Sequence, residues 1–489
     1  MTAGDPCLLY INGTWQRSSD GSEYQIVNPA TGRAIGPVPR ASAADIDDAL
    51  GAAAAGFLTW SRTDPWERCR ILRGAATLIR ERSEDIAAIL THEQGKPLRE
   101  ATAEVKGAWE QFDWFADEAR RITAAIVPTS DPAHVATVYR VPVGPVAAFS
   151  PWNFPALLPS RKIAPALAAG CSVILKPADE APGTALALAA ACHDAGLPPG
   201  VLNVLTGDAA KISERLLRSP VIRKLTLTGS VPVGQRLLAL AAENIIDTTM
   251  ELGGHAPVIV LPDVDPIRSG RACARAKFRN AGQVCIAPTR FYVHRDCYPA
   301  FREAFVAETT ALRLGDGADP AADVGPLTSE RRVQAIEALV TDALACGATL
   351  ACGGSAPDRP GFFFEPTVLA DVPEAARAMQ EEPFGPLALL APYREVGEAI
   401  VRANGTPFGL AAYVWSADQQ AGMAVAAAID AGLVGLNHFA LSYAGVAFGG
   451  VKASGIGTES GAGALDAFLV SKSLHTDASP FPQWADADD

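Results

Sequence analysis

Val146-Ala147-Ala148-Phe149, Ser172-Val173-Ile174-Leu175, Val201-Leu202-Asn203-Val204-Leu205 and Lys224-Leu225-Thr226-Leu227 are short, mostly apolar runs, and their surroundings decide the fold. Each run gives way to a turn and then to a stretch with helical spacing: Pro159 to Ala169, Thr184 to Ala195, Lys211 to Arg218 and Val233 to Glu243. A strand that is apolar along its whole length is buried on both faces. Strand, turn and helix in strict alternation therefore predict a parallel, doubly wound sheet, an α/β fold whose ligands sit beyond the carboxyl ends of the strands.

Working outward, a second α/β series starts after Glu251-Leu252-Gly253-Gly254 and runs to about residue 435. It contains strands at Pro257 to Leu261, at Arg290 to His294 and near 349, 367 and 387, with helices over 296 to 312 and 329 to 346. Upstream, residues 8 to 38 read as short strands punctuated by Asn12-Gly13, Asp20-Gly21 and Asn28-Pro29. Ser42 then caps a largely helical region that extends to about Ile122. Within it Trp109, Phe112 and Phe115 fall at helical spacing and are expected to pack as core. Val135 to Val141 alternates like an exposed strand, and Phe468 to His475 reads as a terminal one. Exposed strand edges of this kind are commonly covered by another subunit, so a homodimer or a homotetramer of such dimers is expected.

The chain has 489 residues, enough for two or three domains, with 49% hydrophobic and 19% charged residues. Its net charge of −13 argues against nucleic acid or an anionic membrane as partner, because phosphate binding needs a basic surface. The nine cysteines include no Cys-x-x-Cys pair, so neither a disulfide scaffold nor a zinc or other metal site is expected. No apolar run is long enough to span a bilayer, and the first residues lack the pattern of an export signal, so a cytoplasmic location is expected.

One cysteine stands apart. Cys285 lies in Phe278-Arg279-Asn280-Ala281-Gly282-Gln283-Val284-Cys285-Ile286-Ala287-Pro288-Thr289-Arg290, between an amide-rich turn and an apolar strand. Arg279 and Arg290 flank it, and a nearby positive charge would favour the reactive thiolate. Inert packing is the commoner fate of a lone cysteine, so its company elsewhere has to decide. No Gly-x-Gly-x-x-Gly succeeds any of the strands, and the loop at 229 to 235 has Gln235 where a P-loop needs lysine, which excludes that class of nucleotide hydrolase. The turn Thr228-Gly229-Ser230 can still offer backbone N–H groups and a hydroxyl to a pyrophosphate at a helix N-terminus.

Read together, Pro151-Trp152-Asn153-Phe154-Pro155, Lys176-Pro177-Ala178-Asp179, Thr228-Gly229-Ser230, Glu251-Leu252-Gly253-Gly254, the Cys285 segment, Glu382-Pro383-Phe384-Gly385-Pro386 and Phe448-Gly449-Gly450-Val451-Lys452 resemble the NAD(P)-dependent aldehyde dehydrogenases, in the same order and over nearly the whole chain. Gly254-His255-Ala256-Pro257 and Arg279 to Cys285 look most like the branch that includes succinate-semialdehyde and α-ketoglutarate-semialdehyde dehydrogenases.

The resemblance implies two doubly wound domains, a Rossmann-type NAD-binding domain (1–121 and 142–253) and a catalytic domain (254–453), with an oligomerisation arm formed by 122–141 and 465–480. It implies Cys285 as nucleophile, Asn153 as oxyanion donor and Glu251, 34 positions before the thiol, as the base that activates water. It places Trp152, Lys176, Asp179, Gly229, Ser230, Glu382 and Phe384 at the cofactor. Asp179 stands where NAD-preferring members usually carry Glu, but a carboxylate there should still repel a 2′-phosphate, so NAD is expected over NADP.

At the substrate end it implies that Arg161, eight residues after Asn153, and Arg279, six before Cys285, hold a distal carboxylate, since guanidinium binds carboxylate through two parallel hydrogen bonds. Ser442 would add a hydrogen bond. Ala156 to Ser160 is mostly apolar, which favours a succinic or glutaric type of semialdehyde, or a longer apolar chain, over the α-keto compound. The alternatives are a broad aliphatic or aromatic aldehyde dehydrogenase with structural arginines, and a non-catalytic protein that keeps the fold.

Overall fold

The computed structural model describes residues 6–131 and 134–477. Strand Val146–Phe149 lies inside an eight-stranded sheet. The chain steps outward from it through parallel strands Val173–Lys176 and Leu202–Val204, then returns to its other side for Lys224–Thr228 and Asp247–Glu251. The order of winding therefore reverses between Val146–Phe149 and Lys224–Thr228, and a crevice opens at the carboxyl ends of strands at such a point. Antiparallel strands finish both edges, the hairpin Leu9–Ile11 and Thr14–Gln16 on one side and Gly455–Ile456 on the other.

Alternation of side chains explains why these strands are apolar throughout. Val146, Ala148, Val173 and Leu175 enter one core, while Ala147, Phe149, Ile174, Leu225 and Leu227 enter the core on the opposite face. The first of these cores is roofed by helices Pro65–Glu81, Ser83–Gln94 and Leu98–Ala119. Phe112 and Phe115 are fully buried there, whereas Trp109 is half-buried beneath the guanidinium of Arg80. Ahead of them, helix Ala43–Trp60 starts at a capping box in which Ser42 and Asp45 satisfy each other's backbone N–H groups.

A seven-stranded sheet comes next, in the order Thr349–Cys352, Thr367–Ala370, Leu387–Tyr393, Pro288–His294, Ala256–Val260, Ala411–Trp415, Leu433–Leu436. All its neighbouring pairs are parallel except the first. Only Leu252–His255 separates the last strand of the first parallel series, Asp247–Glu251, from Ala256–Val260. The carboxyl ends of one sheet are thus brought up to the amino ends of the other.

The remaining strands, Ala125–Pro128, His134–Pro142 and Leu469–Asp477, form a separate three-stranded antiparallel sheet in continuous register from Leu469↔Pro142 to Asp477↔His134. It exposes Ile126 (76%), Val127, Tyr139, Val470 and Leu474. Of the residues expected in the arm, 132–133 and 478–480 lie outside the described residues. Among the described residues no helix is long and apolar enough to cross a membrane.

Candidate active site

A cleft of about 390 Å³ opens at the winding reversal. From the first sheet it takes the segments after three strand ends: Pro151–Asn153, Thr228–Ser230 and Leu252–Gly253. From the second it takes groups that precede strands, Cys285 before Pro288–His294 and Glu382 with Phe384 before Leu387–Tyr393, and also Arg331 and Arg332.

The turn that presents Cys285 is strained. After helix Pro266–Lys277, Asn280, Ala281 and Gly282 are all left-handed, with φ of 49°, 52° and 70°. Gly282 is required there, because a Cβ would stand 2.1 Å from the Gly385 carbonyl oxygen. Hydrogen bonds hold the other two in place. Asn280 Nδ2 donates to the carbonyls of Asn153 (3.1 Å) and Gln283 (3.2 Å), and its Oδ1 accepts from Gln94 Nε2. Its backbone N–H donates to Glu100. Gln283 spans from the Asn280 carbonyl to the Thr328 N–H.

Asn153 is anchored from the other sheet. Its Nδ2 donates to the Gln283 carbonyl at 3.1 Å, while Oδ1 has no partner among the described residues. The buried Lys96 ammonium donates to the Asn153 carbonyl at 2.7 Å and to Glu104, whose other oxygen accepts the N–H groups of Ala156 and Leu157.

Glu251 ends its strand inside the protein, with neither carboxylate oxygen hydrogen-bonded among the described residues. Burial first, then the nearby Glu459 carboxylate, pushes its carboxyl well above the usual range, against Arg161 and Lys162. Lys162 donates to Thr228 Oγ1 at 2.7 Å and pairs with Glu459. Burial, and then Glu251 and Glu382, push the Cys285 thiol up to about 12, against the influence of Arg161 and Arg279. The resting group is accordingly the thiol, contrary to the expectation that flanking arginines would hold a thiolate. Arg290 is one reason. It faces away, donating to the carbonyls of His255, Arg402 and Ala403 and to the Tyr292 hydroxyl, which makes it a structural tie within the second sheet.

Arg161, 2% exposed, donates to Ser442 Oγ at 2.5 Å, and its guanidinium carbon lies 4.1 Å from the centre of the Phe448 ring. Its Nε is buried without a partner among the described residues. Arg161 and Ser442 are expected at one place from the sequence, and they do meet. Arg279 is elsewhere. It is exposed, stands 5.6 Å from the Phe154 ring centre, and lines a second hollow of about 640 Å³ together with Val284, Ile286, Tyr413 and Phe439.

The dinucleotide end can be tested against these residues. Ser230 precedes helix Val231–Glu243 with no side-chain cap bond, so its hydroxyl and the first helical N–H groups are available to an anion. Gly229 lines the same wall, and Trp152 meets Phe384 edge-on with centroids 5.4 Å apart. Glu382 accepts the Gly254 N–H at 2.9 Å. Its burial pushes it up to about 7, against Gly254, Arg332 and Lys277. Lys176 and Asp179, expected at the far ribose, form an ion pair with each other. A free helix terminus for pyrophosphate, a carboxylate for ribose and two aromatic rings set edge to face fit a nicotinamide dinucleotide.

Comparison with known proteins agrees. The chain matches the Aldehyde dehydrogenase family over residues 15–474. It is 44% identical over 467 residues to a 4-(hydroxymethyl)benzenesulfonate dehydrogenase of Comamonas testosteroni, covering 96% of this chain and 97% of that one. It is 41% identical to the NADP(+) succinate-semialdehyde dehydrogenase of Escherichia coli, covering 94% and 96%. The crystal structure of a succinate-semialdehyde dehydrogenase from Burkholderia pseudomallei superposes with a TM-score of 0.95 at 40% identity, covering 98% and 100%. The protein belongs to the aldehyde dehydrogenase family of NAD(P)-dependent oxidoreductases.

Sequence reasoning missed Lys96, Glu104, Lys162 and Glu459, which are charged yet buried. The adjacent pair Arg161-Lys162 inside the otherwise apolar helix Leu157–Ala169 was the available signal, since buried charges demand partners.

With the thiol pushed up to about 12, alkylation of Cys285 by iodoacetamide should rise about tenfold per pH unit from pH 7 to 10, because thiolate is the reactive form. Mass spectrometry of the Cys285 peptide would read it, and a plateau near pH 8.5 would contradict the assigned environment.

Proposed function

We propose that the protein oxidises aldehydes bearing a distal anion to the carboxylic acids, with NAD as acceptor. The observation that carries this reading is Arg161, a buried guanidinium bound to a neutral hydroxyl, with its Nε unpartnered among the described residues. A structural arginine at such depth would be expected to have its hydrogen-bonding capacity filled by protein groups, because an uncompensated buried charge is costly. An anionic substrate end would complete it, with Ser442 beside it and Arg279 at the outer hollow.

Cys285 Sγ, once deprotonated, attacks the aldehyde carbon and forms a C–S bond. Charge developing on the oxygen is met by the Asn153 amide and the Cys285 backbone N–H. A bound nicotinamide dinucleotide supplies the acceptor for the hydride that leaves this carbon. The thioester left on Cys285 is cleaved by water whose proton Glu251 takes, and the thiolate departs. Lys162 and Glu459, which connect to Thr228 behind Glu251, offer a route for that proton away from the cleft. Glu382 receives the nicotinamide ribose, Ser230 and Gly229 the pyrophosphate, Trp152 and Phe384 the walls, and Lys176 with Asp179 the adenosine ribose. Asp179 disfavours a 2′-phosphate, although its pairing with Lys176 weakens that repulsion, and the E. coli relative is named for NADP(+). Residues 1–121 and 142–253 would make the dinucleotide domain and 254–453 the catalytic one.

The carboxylates of succinic and glutaric semialdehydes are the first reading of the distal anion. A sulfonate on an aromatic ring is the second, supported by the relative named for a benzenesulfonate and by Phe439, packed against Tyr413 and Trp415. NADH formation should be measured with succinic, glutaric and α-ketoglutaric semialdehydes, 4-carboxy- and 4-sulfobenzaldehyde, hexanal and benzaldehyde, each with NAD and NADP. Anionic aldehydes should lead by tenfold or more in kcat/KM, about 1.4 kcal/mol. Arg161→Met should cost them roughly 100-fold while sparing hexanal. Equal losses for both would sink the anion reading.

Glu251→Gln should leave a stoichiometric burst of NADH but lower steady-state turnover by about 10²–10⁴. An unchanged steady-state rate would remove Glu251 as the base.

The three-stranded sheet, with its unpaired edges and exposed Ile126, Val127, Tyr139, Val470 and Leu474, supports assembly as a homodimer or homotetramer. Light scattering at micromolar concentration should give a multiple of the 51.0 kDa chain mass, and a monomer mass would refute it.

A further inference from the structure

Lys277 closes the helix Pro266–Lys277, just ahead of the strained turn, and the proposed chemistry leaves it without a role. Its side chain is completely buried, and Nζ has no hydrogen-bond partner among the described residues. A buried amine with no partner is costly to a folded protein and calls for a reason. Its position suggests one. A Cβ placed on Gly282 would stand 3.2 Å from Lys277 Nζ and 2.1 Å from the Gly385 oxygen, so the amine lies against the turn that presents Cys285, beside the segment that carries Glu382. Glu382 is itself wedged in place. Its Oε1 accepts the Gly254 N–H, and a Cβ on Gly253 would stand 2.4 Å from its Oε2.

We infer that Lys277 is a positioning residue that acts through Glu382, supplying the counter-charge that keeps this carboxylate ionised where it receives the nicotinamide ribose. The inference rests on the proposed assignment of Glu382 to that ribose. Burial lowers the Lys277 amine to about 7, with Glu382 opposing, and raises the Glu382 carboxyl to about 7, with the Gly254 N–H, Arg332 and Lys277 opposing. The pair therefore titrates near neutrality. The other charged or titratable groups facing it are Arg332 from helix Glu330–Ala345, with Arg331 beside it, the Cys285 thiol, and His255 at the start of strand Ala256–Val260.

The lysine charge lowers the pH at which Glu382 loses its proton, so without it the carboxyl stays protonated to higher pH. A protonated carboxyl gives up one of its acceptor positions to its own proton. Well above neutrality the amine is neutral and the carboxyl ionised in the unaltered protein as well, and the lysine ceases to matter.

NAD binding to the full-length protein, monitored by quenching of tryptophan fluorescence between pH 6.5 and 9, tests this without turnover. Lys277→Met and Lys277→Gln should each weaken binding at pH 7 by tenfold or more, and by less than twofold at pH 9. Whichever of the two folds gives the reading. The same loss at both pH values would make the lysine merely structural and overturn the inference, as would unchanged binding at pH 7. Glu382→Gln, measured alongside, separates the two claims. Wild-type affinity in Glu382→Gln would sink the ribose assignment itself, whereas a loss there without a loss in the lysine variants would sink only the role of Lys277.

Discussion

The structure turns on a short set of buried hydrogen bonds that cross from one sheet to the other. Asn153 lies just beyond a strand end of the first sheet and Asn280 precedes a strand of the second, and each side chain donates to a carbonyl on the opposite side. Lys96 binds the Asn153 carbonyl from below, and Gln94 binds Asn280. In a low-dielectric interior such bonds reinforce one another and penalise any displacement that leaves a donor unpaired. They set the distance between the thiol-bearing turn and the Asn153 amide, the geometry on which the proposed oxyanion role of Asn153 depends.

Burial does the rest of the electrostatic work, and it does so in opposite directions. It raises Glu251, Glu382 and Cys285 and lowers Lys277, which brings Glu382 and Lys277, normally far apart, to about 7 and carries the Cys285 thiol further from them. The thiol is held protonated at rest by the same surroundings, so the proposed nucleophilic role of Cys285 requires that it first lose its proton. An always-on thiolate between arginines would instead be open to oxidation and adventitious alkylation.

Much of the fold was legible because its signals are local. Apolar strands separated by helices admit few arrangements, and the helix limits agree with the expected ones to within about two residues, as at Pro182–Asp194 and Val231–Glu243. Turn residues such as Gly282 announced themselves by type, since only glycine fits beneath the Gly385 carbonyl. The site was legible where chemistry is tied to position in a motif: Cys285, Glu251, Asn153 and Glu382 all face or adjoin one cleft. It was illegible where a side chain's role depends on direction. Arg279 and Arg290 look equivalent around Cys285 in sequence, yet one is exposed at an outer hollow and the other is spent on backbone carbonyls inside the second sheet.

By itself the sequence determined the class of fold and the alternation of strands and helices along the chain, because hydrophobic periodicity and turn chemistry are properties of neighbouring residues. Tertiary structure alone decided which charges are buried, whom they face and therefore how they titrate. Lys162 with Glu459 and Arg161 with Ser442 come from separate parts of the chain, 297 and 281 positions apart. Desolvation and charge pairing depend on distance in space, and no local pattern carries that information until the sheets have packed.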